Sequence, residues 1–182
     1  MRPFAMRPKV LVLAFTIAAL TLGLVATVAL GDDRSSARAT LTGYEETPSV
    51  SSVGRGEFRA TINDGAQVID YSLTFSGTFN GPIAVAHIHF GQRGVAGGVS
   101  AFLCGGGNKP ACPQSGPVTG TIVPSDVIGP AAQGIAAGEW RELVAAMRAG
   151  ITYANAHSST QPGGEIRGQI STRGNRDNDD ND

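Results

Sequence analysis

The strongest constraint in this sequence is a period-two pattern on either side of a tight turn. Gly56, Phe58, Ala60 and Ile62 alternate with Glu57, Arg59 and Thr61. Beyond Asn63-Asp64-Gly65, Ile69, Tyr71, Leu73 and Phe75 alternate with Asp70, Ser72 and Thr74. Successive strand side chains point to opposite faces, so each half presents one apolar and one polar face. Asn, Asp and Gly tolerate the positive φ of a hairpin turn. Residues 54–76 therefore predict one antiparallel hairpin with a single buried face. Further short apolar runs at 83–90, 95–103, 118–123, 151–157 and 165–170 read as strands, the second interrupted by Gly97-Gly98. One segment has a different period. Trp140, Leu143, Val144 and Met147 recur at helical spacing, and Gly150 follows. That predicts an amphipathic helix over 139–149. Seven or eight short strands and one helix predict a mainly β fold, an antiparallel sandwich or barrel. The 25 glycines and sparse aromatics suit a chain of strands and turns.

The two ends differ from the middle. Arg2, Arg7 and Lys9 precede Val10–Leu30, a run with no charged residue. This is the layout of a secretory signal peptide over residues 1–31. The alternative is an N-terminal membrane anchor, because the run is long enough to span a bilayer. Either reading puts the rest of the chain outside the cytoplasm. Residues 32–38 are polar and read as a linker, 39–171 as the folded domain, and 172–182 as a disordered Asn/Asp-rich tail. The tail lacks the Gly and Glu spacing of a calcium-binding loop. Without residues 1–31 the chain carries 11 positive and 15 negative residues, a net of −4. That balance argues against a nucleic-acid partner. Cys104 and Cys112 are the only cysteines, and in an oxidising compartment they are expected to form a disulfide.

Chemistry concentrates in three histidines. His87 and His89 stand at i and i+2 on one predicted strand, and so share a face. His157 lies near the end of another strand. Neutral imidazole is a ligand for copper or zinc, so the three form a candidate metal site. The competing reading is a structural polar cluster. Glu165 and Arg167 share a strand face and are candidates to orient a ligand or bind an anion. A cation beside Arg167 fits only if the arginine is held off the metal or meets an anion. No serine-hydrolase elbow, zinc-protease helix, phosphate loop or dinucleotide fingerprint is present. An enzyme is therefore the less expected outcome.

Four blocks resemble a known family. Leu41-Thr42-Gly43-Tyr44-Glu45-Glu46-Thr47-Pro48, Ala86-His87-Ile88-His89-Phe90-Gly91, Tyr153-Ala154-Asn155-Ala156-His157-Ser158 and Pro162–Ile170 are similar, in that order, to the motifs of the CHRD (chordin) domain. The likeness is to secreted, single-domain microbial members. It implies an immunoglobulin-like β-sandwich or barrel; the first reading of the function is an exported, non-catalytic binding or structural module with an unspecified extracellular protein or ligand partner. The resemblance places the histidines and the Glu-Ile-Arg run inside motif blocks. The His-X-His strand is also similar to the copper strand of Cu/Zn superoxide dismutase. Three histidines are too few for that enzyme's dinuclear centre. A mononuclear copper or zinc site, redox-active if it holds copper, stays open as the second reading.

Overall fold

The computed structural model describes residues 34–174. The expected signal or anchor at 1–31 and the last eight residues of the tail lie outside the described residues. Among the described residues nine strands form: β1 (Arg34–Thr42), β2 (Arg55–Asn63), β3 (Val68–Ser76), β4 (Ile83–Phe90), β5 (Gly98–Cys104), β6 (Gly116–Ile122), β7 (Thr152–Ser158), β8 (Ile166–Gln169) and β9 (Ser171–Gly174). All pairings are antiparallel. The order is β5-β4-β7-β8-β1-β2-β3-β6, with β9 paired to β1 beside β8. This is one curled sheet, a nearly closed barrel; of the two expected architectures, the barrel is the one adopted. The predicted hairpin is β2–β3, with Ile62 opposite Ile69.

Two boundaries differ from the sequence reading. Residues 34–38, expected as linker, are the first half of β1, where Ser35, Ala37, Ala39 and Leu41 are buried and their neighbours exposed. Small Ser and Ala side chains hid a true period-two strand. Residues 172–174, expected as tail, belong to β9. They are polar because β9 supplies backbone hydrogen bonds to β1 rather than side chains to the core.

The barrel interior is filled by alternate residues: Leu41, Phe58, Ile62, Leu73, Phe75, Ile88, Leu103 and Ile166 are almost fully buried. Helix α1 (Trp140–Arg148) adds Trp140, Leu143, Val144 and Met147 to the same core. Gly150, at φ +69°, ends that segment as expected.

β5 and β6 complete the circle without pairing directly. Side chains hold this seam. Tyr71 on β3 lies beside Gly120 of β6, and its hydroxyl donates to the Leu103 carbonyl of β5 at 2.6 Å. A Cβ at position 120 would sit 2.4 Å from that hydroxyl oxygen, so only glycine leaves the path open. Burial, with Asp126 adding to it, pushes the phenol up to about 12, and it remains a donor. Lys109 donates to the Thr121 carbonyl at 2.6 Å and pairs with Asp126 at 2.9 Å, both side chains being buried. Burial alone would raise the Asp126 carboxyl. Lys109 and the Val123 amide outweigh it and hold the group below its usual value. The Cys104–Cys112 disulfide is formed and closes the loop that carries Lys109.

Tyr71→Phe should therefore lower stability by about 1–3 kcal/mol, because it orphans the buried Leu103 carbonyl. Breaking the disulfide in a Cys104→Ser/Cys112→Ser variant should cost about 2–3 kcal/mol by loop entropy. Denaturant melts of the two variants check both; an unchanged midpoint in either removes the role given to that link.

Candidate functional site

Strand β4 carries both the core and the site. Ala86 and Ile88 point inward and are fully buried, whereas His87 and His89 point outward. A register irregularity between Ile83 and Val85 lets Ile83 be buried while the histidines keep the outer face. On the neighbouring strands the same outer row continues. Asn155 of β7 lies opposite His87, and Arg167 of β8 opposite Asn155. Tyr153 lies opposite His89, Gln169 opposite Tyr153, and His157 opposite Val85. Phe102 of β5 flanks His87.

This outer row is not open to water. His87 and His89 are 7% and 8% exposed, Asn155 2% and Arg167 3%. Loops cover it and bond to it. Arg167 donates to the carbonyls of Gln92 and Val95 at 3.0 and 2.7 Å and to Thr47 Oγ1 at 3.3 Å. Asn155 Nδ2 donates to Glu46 Oε1 at 2.5 Å. Gln169 Nε2 donates to the carbonyls of Gly91 and Gly150.

The three histidines meet. His87 Nδ1 is 3.1 Å from His89 Nε2, and the His87 and His157 rings are 4.7 Å apart. One ligand nitrogen from each lies within 4.8 Å of the other two. Backbone carbonyls set two tautomers. His89 Nδ1 faces the Gly97 carbonyl at 2.9 Å, and His157 Nδ1 faces the Pro162 carbonyl at 2.8 Å. A carbonyl only accepts, so each Nδ1 carries the proton and each Nε2 keeps its lone pair. His87 Nδ1–H then donates to His89 Nε2. His157 Nε2 is buried with no partner. Backbone acceptors on the distal nitrogen are the usual means of orienting a histidine ligand.

All three rings are neutral at pH 7. Burial, followed by His157 and His89, pushes His87 down to about 3. Burial lowers His89 to about 4, with the Gly97 carbonyl opposing and His157 and Arg167 adding. Burial also lowers His157, against its bond to Pro162. Such imidazoles bind a metal without first losing a proton.

Arg167 sits one layer away. Its guanidinium lies 3.5 Å over the Tyr153 ring, and that ring stacks on His89 at 4.7 Å with an interplanar angle of 3°. The charge is thus separated from His89 by an aromatic spacer and spent on two carbonyls. Glu165 is fully buried, and its Oε1 accepts from Ser52 Oγ and the Asn80 amide, each at 2.7 Å. It ties two covering loops together and has no hydrogen bond to a histidine.

Sequence reasoning passed over Tyr153, Asn155 and Glu46. The first two were legible: Tyr153, Asn155 and His157 stand at i, i+2 and i+4 of one strand and share its outer face. Glu46 joins Asn155 across 109 residues of chain, and no local pattern announces that. Its carboxyl is pushed up to about 7, first by burial, against the pull of Asn155 and Arg167.

The two kinds of group give opposite pH responses. The unfolded chain takes up protons at its histidines near 6.5, while the folded chain resists until about 3–4 at His87 and His89. Their contribution is complete above 6.5 and is lost as pH falls toward 4. Glu46 has its folded value raised, so its carboxyl favours the folded state below 4.5 and that advantage is lost as pH rises through 7. Glu46→Gln should raise the melting temperature at pH 8 and leave it nearly unchanged at pH 4.5. A larger gain at pH 4.5 than at pH 8 refutes the assignment.

The sequence model of one family, described as the CHRD domain, matches residues 37–170, well over half of the chain. No curated protein and no solved structure matches the chain.

Proposed function

Since the chain belongs to the CHRD domain family, we propose that it is an exported, non-catalytic binding module whose own ligand is one copper or zinc ion. The ion is held by His87, His89 and His157. The observation that carries this reading is the buried Nε2 of His157, unpartnered, on a ring 4.7 Å from that of His87 and in a cluster whose ligand nitrogens lie within 4.8 Å of one another. An unsatisfied buried nitrogen costs stability, and a bound ion would remove that cost. A tetrahedral ion with 2.0–2.1 Å bonds to nitrogen needs ligand atoms roughly 3.3 Å apart. The 3.1 Å between His87 and His89 is close to that edge. His157 has to close in from the wider side of the triangle, and His87 has to shift its proton from Nδ1 to Nε2, giving up its hydrogen bond to His89.

Three neutral nitrogens suit copper and zinc alike. Three protein ligands leave a fourth position open, and copper there would supply one-electron redox chemistry. The protein's own part is to orient two imidazoles through Gly97 and Pro162, hold Arg167 off behind Tyr153, and keep bulk water out. Export is supported by the charged-then-apolar N-terminal sequence and by a disulfide, which suits an oxidising compartment. Among the described residues, no helix is long and apolar enough to cross a membrane.

Elemental analysis of the purified protein, before and after incubation with copper or zinc and desalting, tests the site. One ion per chain, with a higher melting temperature, is expected. His89→Ala and His157→Ala should each lose the ion. No uptake of either metal leaves the cluster as a structural polar layer. Full uptake by both variants moves the metal elsewhere.

A further inference from the structure

On the same outer surface as the histidines, beyond Gln169, the outer faces of β9, β1 and β2 carry three arginines around one groove. Arg38 of β1 stands directly opposite Arg59 of β2. Arg173 of β9 lies opposite Ser36, one outward position along β1 from Arg38. All three are exposed, and they line a shallow depression together with Ser36 and Ser171. Its continuation, about 330 Å³, adds Thr40, Gln169 and the single carboxylate Glu57.

Like charges opposed across an antiparallel pair destabilise the sheet. Glu57 in the groove and Asp70 on the far side of Arg59 are the nearby carboxylates, and neither forms an ion pair with these arginines among the described residues. Arg93 and Arg148 elsewhere on the surface pair with Glu45 and Asp64, and Arg55 bonds backbone carbonyls. The guanidinium groups of Arg38, Arg59 and Arg173 have no hydrogen bond or ion pair among the described residues; the Arg38 carbonyl accepts from Ser171 Oγ at 3.4 Å. A local rule broken without compensation in the fold marks a functional site. The groove offers three guanidinium forks, which match sulfate or carboxylate oxygens two at a time, set among hydroxyls. It lies on regular strands, so the backbone positions from which the three arginines project are fixed.

We propose that this face binds an anionic polysaccharide, with its sulfate or uronate groups on Arg38, Arg59 and Arg173. An extended polymer suits an open, elongated groove. Hydroxyl side chains suit sugar hydroxyls. A nucleic acid fits less well, because none of the groove residues is aromatic and base stacking has no platform.

The test uses the full chain and immobilised dextran sulfate and polygalacturonate, with neutral dextran as blank. Retention on at least one of the charged polymers, lost as salt rises, is expected. Arg38→Ser/Arg59→Ser should weaken it at least tenfold and leave the melting temperature unchanged or higher, because a repulsion has been removed. Arg141→Ser, which deletes an exposed charge on α1, should leave retention unchanged. Retention of wild type on neither charged polymer overturns the proposal, as does equal loss in the Arg141 variant. Binding to phosphatidylglycerol vesicles without binding to polysaccharide overturns it in favour of a membrane surface. If only a chain with Asp177, Asp179, Asp180 and Asp182 changed to Asn is retained, the acidic C-terminal segment is the occupant and the proposal fails.

Discussion

Everything distinctive here depends on strand β4 doing two incompatible things on its two faces. Ala86 and Ile88 fill the barrel, and one residue away His87 and His89 face outward. A strand permits this because its side chains alternate strictly. The core is therefore dry and apolar while a polar layer lies directly behind it. That layer stays buried because three loops fold over it and satisfy nearly every donor with backbone carbonyls. Gln92, Val95, Gly97 and Pro162 each contribute one. The site is thus as rigid as the loops are well bonded, and Arg167 and Glu165 are the residues that bond them.

Burial also sets the electrostatics. A histidine in water is half charged near its ordinary value, but these three are held neutral because the covering loops exclude water. Neutral rings can share a small space without repulsion, which is why the cluster is tolerated without an ion. The same burial raises Glu46 to about 7, so it favours the protonated form below that value. The Arg167 charge lies over an aromatic face. The exposed face of β9, β1 and β2 follows the other rule. Its arginines remain in water, where charge is inexpensive to keep but repulsive to concentrate.

Much of this was legible beforehand. The hairpin, the helix around Trp140 and the strand bearing both histidines follow from period alone, and the disulfide from two cysteines in a chain whose N-terminal sequence predicts export. The first strand was missed because Ser35, Ala37 and Ala39 are too small to register as an apolar face. The last strand was missed because it contributes hydrogen bonds and almost no side-chain burial. Glu165 and Arg167 were singled out near the histidines; the structure makes them loop anchors, and Arg167 alone approaches the cluster, through Tyr153.

By itself, the sequence determined which residues share a strand face, since that depends only on alternation along one stretch of chain. It placed His87 beside His89, and Tyr153 and Asn155 beside His157. Only the tertiary structure decided which face turned inward, because Ile83 and Val85 made both faces of β4 half apolar and a local irregularity broke the tie. It alone brought β7 against β4, so that His157 reached the pair, and laid Glu46 on Asn155. It also set Arg38 opposite Arg59. Those are matters of register between distant strands, and register is fixed by how the whole sheet closes.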